Sequence, residues 1–373
     1  MERISNVEMG EDPSAFRVVS DAIGYGKNTS ISALSKIRRS IRQATARRSA
    51  STGPHGVVLL YHRVAEPDVD PWDLSVSPQN FSEQMEVLKS MGNCMTFTDF
   101  AESLSGATPA QRSIAVTFDD GYRDNLTAAL PILESSGVPA TVFVTSGMVG
   151  TERDFWWDAL ARVFLAKHPL PGVLSLQIDG VWHKWVALEE PADSGLLGRH
   201  WDRGFGSRSR KRAFYDIWSS LLAMPLNEIE RVVEEVMEWA GLDRAGCPED
   251  RPLNVDELKQ LAASPLIEIG AHTVAHAPLT KVSPERCAQE IAPSQAALHD
   301  TLGREVTSFS FPFGMHNKST MRSARDAGFD CSCTVVEDIV TPRTDPYRIP
   351  RIQVKNWPGD VFEAALRKYV GPN

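Results

Sequence analysis

The feature that most constrains the fold is an apolar run that ends in two adjacent carboxylates. Residues 114–118 alternate β-branched and aromatic side chains as a buried strand does, and Asp119, Asp120 and Gly121 follow directly. Two acids at the carboxyl end of a strand have no packing purpose. We therefore predict a site in which one carboxylate holds a cation and the other moves a proton. A helix N-cap would explain one aspartate, but not two.

A pair of histidines follows a second apolar run. Residues 266–269 precede His272 and His276, which lie one above the other if the chain enters a helical turn there. Imidazole suits zinc and other first-row divalent ions, and a hydrolytic site needs about three protein ligands and an open position for water. A histidine pair alone is weak evidence. Together with the aspartate pair at another strand end, it predicts a hydrolytic metal site.

These segments resemble the motifs of a known family, the polysaccharide deacetylases (NodB-type, carbohydrate esterase family 4). The family's T-F-D-D-G motif is intact at 117–121, and its H-[ST]-x-x-H motif at 272–276. The segment 308–314, a strand ending in Pro and an aromatic residue, resembles the third motif, and 59–64 resembles the first strand. Three motifs in the same order form a specific pattern.

Strand and helix signals alternate through most of the chain at the spacing of parallel βα units. The count is about seven units, which agrees with the α/β, distorted (β/α)7 barrel that the resemblance implies. The resemblance covers about 56–150 and 254–355. We predict that 56–373 forms this barrel, that 151–253 is a Trp-rich insertion, and that 1–55 is an N-terminal extension.

The insertion contains seven of the nine tryptophans of the chain. Because it follows a strand of the barrel, it is expected at the rim of the site. Tryptophan faces commonly stack on sugar rings, so a substrate lid is one interpretation. The alternative is that these tryptophans form the insertion's own small core.

The resemblance implies a role for each motif residue. Asp119 would be the general base, Asp120, His272 and His276 the metal ligands, and the backbone N–H of Phe313 an oxyanion donor. The expected ion is Zn²⁺, with Co²⁺, Ni²⁺ or Mn²⁺ as alternatives. The residues expected to contact the substrate are Pro312, Tyr122, Trp156 and Trp157.

Two departures from the family pattern leave roles to assign. The third motif often has an Arg two residues before its Pro, which orients the base, and Ser310 stands there. Arg348 and Arg351 are the candidates to replace it, and we favour Arg351. The family's last motif, an apolar strand ending in a general-acid His, has no counterpart after Arg351. His62 and His316 are then the candidate acids, and His62 is preferred because it follows a predicted strand.

The charge and the hydropathy pattern limit which partners the protein can have. A net charge of −9 argues against nucleic-acid binding. Residues 34–48 predict a basic amphipathic helix, which either contacts an anionic membrane or lipid phosphate, or is solvated. The first residues lack the pattern of a signal peptide, and we expect a cytoplasmic, at most membrane-peripheral, protein. The sequence indicates no obligate protein partner.

The expected activity is metal-dependent removal of an N-acetyl group from a sugar. The substrate class would be an N-acetylhexosamine in a polysaccharide, an oligosaccharide, or a lipid- or nucleotide-linked sugar. The alternatives are an amidase or cyclic imidase and an O-acetyl esterase, acting on a small molecule, because the same ligands can serve those reactions.

Overall fold

The computed structural model describes residues 56–105, 112–186, 188, 209–243 and 248–370. They belong to the compact unit Gly53–Asn373. The basic helix that we predict at 34–48 lies outside the described residues. Among the residues described, no helix combines the length and the apolar character needed to cross a bilayer.

The secondary-structure elements follow one another in an alternating order. The strands are β1 (Val57–Tyr61), β2 (Arg63–Val64), β3 (Ser75–Val76), β4 (Cys94–Met95), β5 (Ile114–Phe118), β6 (Ala140–Val144), β7 (Val173–Ile178), β8 (Val181–Val186), β9 (Ile267–Ala271), β10 (Ser308–Ser310), β11 (Cys331–Cys333) and β12 (Ile352–Gln353). The α-helices are α1 (Pro78–Met91), α2 (Phe97–Ser105), α3 (Leu130–Ser136), α4 (Trp156–Leu165), α5 (Arg210–Leu221), α6 (Leu226–Ala240), α7 (Val255–Ala262), α8 (Pro284–Leu302), α9 (Lys318–Asp326) and α10 (Gly359–Val370).

The main sheet is parallel and curls into a distorted barrel, as predicted. In the described part of the chain its order is β11-β10-β9-β6-β5-β1-β12, with β4 beside β5. The segment around β12 joins the two edges. Ile349 N donates to Ser332 O of β11 at 3.0 Å, and Val354 N donates to Leu60 O of β1 at 3.0 Å. Within the described residues the sheet has eight strands in all, seven of them on this path, and the predicted distorted (β/α) barrel is confirmed.

The central strands are buried on both faces by the helices around them. Strands β1, β5 and β6 are buried at every position, which explains their continuous apolar runs. The register between neighbouring strands determines which residues lie side by side at the carboxyl ends of the strands. Tyr61 pairs with Phe118, and Val144 pairs with Ala271. His62 therefore leaves the sheet beside Asp119.

Several helices begin at the capping residues that the sequence indicates. Ser77 accepts a hydrogen bond from Asn80 N at the start of α1, and Ser283 does the same for Arg286 N before α8. Asn254 and Glu257 form a capping box at α7. The sequence alone favours these starts, because Ser and Asn are preferred residue types at helix N-caps.

The sequence also predicts a helix from Tyr122 to about Ser136 that Pro131 interrupts, and the structure divides this segment in two. A π-helical segment, Asn125–Ala129, comes first, and α3 begins only at Leu130. Pro131 has no N–H to donate to the preceding turn, so a regular α-helix cannot run through this position.

The insertion forms a small layer of helices with a hairpin. Helix α4 packs against α5 and α6, and α6 packs against β7. The antiparallel hairpin β7–β8 was not predicted. It buries one face, including Leu174 and Trp185, and exposes the other, where 71% of Trp182 is accessible.

Candidate active site

The carboxyl ends of β5 and β9 bring the two predicted motifs together. Asp119 and Asp120 follow β5, and His272 follows β9, with only β6 between these strands. His272 N donates to Val144 O at 2.9 Å, and Thr145 N donates to Asp120 O at 3.2 Å. Both motifs are thus tied to the end of β6. Asp119, Asp120 and His272 are buried.

Three potential ligand atoms, one each from Asp120, His272 and His276, lie within 4.8 Å of one another. Asp120 Oδ1 is 3.5 Å from Nε2 of His272 and 3.2 Å from Nε2 of His276. The set contains one oxygen and two nitrogen donors, which matches the preference of zinc and related divalent ions.

The hydrogen bonds of this cluster favour a bound cation. His272 Nδ1 lies 2.8 Å from Ser310 O, which can only accept, so the ring proton is on Nδ1 and the Nε2 lone pair faces Asp120. Burial lowers the pKa of His272 and His276, which keeps both rings neutral. Among the described residues, Asp120 Oδ1 has no hydrogen-bond donor. A divalent ion would satisfy all three atoms, so the residues present fit such an ion.

Asp119 is held by a buried guanidinium. Arg351 Nη1 donates to Oδ1 at 2.7 Å, and Nη2 donates to Oδ2 at 2.6 Å, a bidentate geometry. Burial acts to raise the pKa of Asp119, but the charge of Arg351 and its hydrogen bonds outweigh it and hold the pKa well below its ordinary value. Asp119 is therefore ionised. Between the two candidate orienting residues, the structure brings Arg351 to Asp119, and Arg348 is exposed.

Ser310 links the two halves of the site, a role that its position in the sequence did not indicate. Its hydroxyl donates to Asp119 Oδ2 at 3.2 Å and accepts from Arg351 Nη2 at 2.9 Å. Its carbonyl orients His272, as described above. The small side chain leaves room for the guanidinium, which arrives from a distant segment instead of from the third motif.

Four site residues have left-handed backbone conformations. The φ angles are 75° for Asp120, 67° for Thr273, 55° for His276 and 58° for Phe313. Non-glycine residues adopt this region at an energetic cost, and surrounding contacts must hold them there. Such strained residues concentrate at functional sites, and here they occur on three different loops.

The third motif lies against the histidine pair. The Phe313 ring is 4.5 Å from the His276 ring, and the residue belongs to the turn Pro312–Gly314. Gly314 has a φ of 64°, and a Cβ on it would lie 2.3 Å from Val335 Cγ2. Glycine is thus required for the turn that carries Pro312 and Phe313.

The two candidate acids have different surroundings. Burial lowers the pKa of His62 to about 4, so its imidazole is uncharged at neutral pH, which disfavours a role as proton donor. His316 Nδ1 is 2.7 Å from Gly314 O, and its ring lies 5.8 Å from the Phe311 ring. Neither residue has the arrangement of an obvious acid.

The predicted substrate contacts at the start of the insertion form a buried chain. The Trp157 ring is 4.8 Å from the His276 ring, and its Nε1 donates to Tyr122 Oη at 2.9 Å. Tyr122 in turn donates to Asp158 Oδ2 at 2.7 Å. Trp156 is only 2% exposed and offers no open face to a sugar. Burial also raises the pKa of Asp158 to about 7.

The polysaccharide deacetylase family model matches residues 106–170 and 233–332. The "Putative polysaccharide deacetylase YxkH" of Bacillus subtilis (strain 168) is 20% identical over 313 residues, which cover 83% of this chain and 75% of that protein. The poly-beta-1,6-N-acetyl-D-glucosamine N-deacetylase of Staphylococcus epidermidis is 30% identical over 83 residues, 22% of this chain and 28% of that protein.

A solved structure has the same fold. The Streptococcus pyogenes deacetylase PplD, in complex with acetate, aligns with a TM-score of 0.52 and 17% identity, over 86% of this chain and all of that chain (100%). At this identity the similarity establishes the architecture. It agrees with the distorted barrel.

Proposed function

Because the chain belongs to the polysaccharide deacetylase family, we propose that it is a metal-dependent hydrolase that removes the N-acetyl group from an N-acetylhexosamine unit of a glycan or glycoconjugate. One observation carries this proposal: Asp120, His272 and His276 converge beside an ionised Asp119 that Arg351 holds in place. The family match and the acetylated-sugar substrate of the staphylococcal relative support the choice of reaction.

The metal-binding residues would be Asp120, His272 and His276, with Zn²⁺ as the expected ion. When bound, such an ion supplies Lewis-acid polarisation of the acetyl carbonyl and lowers the pKa of water. Residues of this chain would transfer the protons and stabilise the oxyanion. Burial of the cluster excludes bulk water, which strengthens every charge interaction in the site.

Asp119 is proposed as the general base. Its Oδ2 lies 3.9 Å from Nε2 of His272, so it faces the same space as the ligand atoms. The bidentate contact with Arg351 fixes the carboxylate plane, so that a free lone pair can accept a proton in one direction. We propose Phe313 N–H as the oxyanion donor, since the left-handed turn that contains it packs against His276.

The amine leaving group needs a proton, and His62 is retained as the proposed donor. Its position beside Asp119 at the strand ends favours it. A pKa of about 4 opposes it, so donation requires that substrate binding raise this pKa. The test is the pH dependence of kcat. If His62 is the proton donor, the fall of kcat at high pH that the wild type shows should be absent in His62→Gln.

The decisive experiment combines metal analysis with acetate release. Purified protein is tested on N-acetylated nucleotide sugars, chitooligosaccharides and β-1,6-linked N-acetylglucosamine oligomers, with Asp119→Asn as the matched variant. We expect about one divalent ion per chain in both proteins and a loss of activity of about 10²–10⁴-fold in the variant.

Other outcomes would redirect the proposal. Stoichiometric metal without acetate release would favour the amidase or cyclic imidase alternative. Acetate release from O-acetylated sugars alone would favour the esterase. Absence of metal after reconstitution, or full activity in Asp119→Asn, would contradict the proposed function.

A further inference from the structure

The loop between the two histidines is held by a carboxylate from outside the motif. Residues 273–276 leave the sheet in a strained conformation, with φ angles of 67° at Thr273 and 55° at His276. The carbonyls of Thr273 and Val274 accept from Ser146 N and Gly147 N, at 3.0 and 2.9 Å. The loop's amide groups face the opposite side, towards α8.

Glu290 of α8 receives those amides. Ala275 N donates to Glu290 Oε2 at 2.8 Å, and Val274 N donates to the Glu290 backbone carbonyl at 3.1 Å. The side chain is buried, and a charged acceptor makes a stronger bond than a neutral one. Glu290 thus fixes the residue that directly precedes His276.

Arg286, one turn earlier on α8, connects Glu290 to the insertion. Its Nε is 3.6 Å from Glu290 Oε1. Its Nη1 and Nη2 donate to the carbonyls of Ala223 and Met224, at 3.2 and 2.7 Å. Those carbonyls lie in the short turn between α5 and α6. A continuous chain of polar contacts therefore runs from the insertion to the loop that carries His276.

We propose that Glu290 and Arg286 are positioning residues that couple the insertion to the metal-binding loop and so set the affinity of the metal site. The inference rests on the proposed function, because it needs a metal at Asp120, His272 and His276. Two neutral imidazoles can bind one ion tightly only if their loop is held against its own strain, and partners beyond the ligands commonly provide this.

The test measures metal affinity and the spectrum of the Co²⁺-substituted protein. Zn²⁺ dissociation constants are measured by chelator competition on metal-free full-length protein. Glu290→Gln keeps the shape of the side chain but removes its charge, and we expect affinity to fall by about ten-fold or more. The Co²⁺ absorption should also change, since the His276 ring is free to reorient. A merely structural residue would lower thermal stability without changing this spectrum.

Arg286→Met tests the connection to the insertion. We expect a smaller fall in affinity, of about two- to ten-fold, the range for one hydrogen bond. In the double variant the loss should equal that of Glu290→Gln alone, because Arg286 acts through Glu290. Fully additive losses would mean independent action and would overturn the coupling.

Gln295→Met is the matched control on the same helix. Gln295 Nε2 donates to Val306 O at 2.8 Å, away from the histidine loop. It should leave the dissociation constant and the Co²⁺ spectrum unchanged. If wild-type protein binds metal and Glu290→Gln binds it equally well with the same spectrum, this inference fails and the proposed function stands. If the wild-type protein binds no metal, the proposed function itself fails.

Discussion

The strand-end site and the aromatic core of the insertion are both buried, but different forces hold them together. At the site, the side chains of Asp119, Ser310 and Arg351 form short, directional hydrogen bonds between distant parts of the chain. In the insertion, aromatic side chains such as Phe214 and Trp218 pack without such bonds between them. Hydrogen bonds fix the distance and direction between particular polar atoms. Apolar packing requires only that the side chains together fill the available volume, and it does not place any particular polar atom.

The difference is visible in the sequence, because the motifs that predict a metal site, at 117–121 and 272–276, lie on either side of the insertion. Metal binding requires specific atoms at specific distances, so few sequences satisfy it. A small apolar core can be built from many combinations of large side chains. The two regions meet where Trp157 contacts His276 and where Arg286 reaches the α5–α6 turn.

The largest expected effect comes from removing the buried charge at the site. Arg351→Met leaves the Asp119 carboxylate buried without its partner, and we expect the free energy of unfolding to fall by about 3–5 kcal/mol. Urea unfolding of the metal-free protein measures it. Arg351→Lys keeps the charge but not the bidentate geometry, so its free energy of unfolding should lie between that of the wild type and that of Arg351→Met.

The matched control is Arg348→Met, at an exposed position three residues away. Its unfolding free energy should change by no more than about 0.5 kcal/mol. Equal effects at both positions would show that the site is not held more tightly by its charges than the surface is, and would break the comparison.

Asp158, on the first turn of α4, tests the boundary between the two regions. Its pKa is raised to about 7 by burial, against an ordinary value of 3.8. Between these two pKa values the folded protein binds more protons than the unfolded chain. The contribution of Asp158 to the free energy of unfolding therefore falls as the pH rises through that window. Asp158→Asn lacks the ionisation, so its stability relative to wild type should rise by on the order of 4 kcal/mol between pH 4 and pH 8. A pH-independent difference would contradict a raised pKa.

The smallest effect is expected within the aromatic contact itself. Trp157→Phe keeps a ring near His276 but removes the hydrogen bond from Nε1 to Tyr122 Oη, so unfolding free energy should fall by about 1 kcal/mol. Trp182→Phe, on the exposed face of the hairpin, should stay within about 0.5 kcal/mol of wild type. A larger effect at Trp182 than at Trp157 would reverse our assignment of which tryptophan matters to the site.

Much of the barrel could be predicted because its signals are local. Apolar runs such as 114–118 are buried strands on both faces, and Ser77, Asn254 and Ser283 cap helices through contacts three residues away. The hairpin β7–β8 was missed although its signal is local, since buried and exposed residues alternate along β7 and Asp179-Gly180 forms the two-residue turn. The π-helical segment before Pro131 was not predicted, although the interruption at Pro131 was.

The sequence alone was enough to predict the βα order and the candidate ligands Asp120, His272 and His276, because both predictions depend on residue types at short, fixed spacings. The sequence named Arg351 and Arg348 as candidates to hold Asp119, and the tertiary structure shows the contact with Arg351. Only the tertiary structure showed that Ser310 links Asp119 to His272 and that Glu290 fixes the histidine loop. Those contacts join residues from 15 to more than 200 positions apart. No local pattern encodes them, because barrel closure and helix packing bring the partners together only after the strands have assembled.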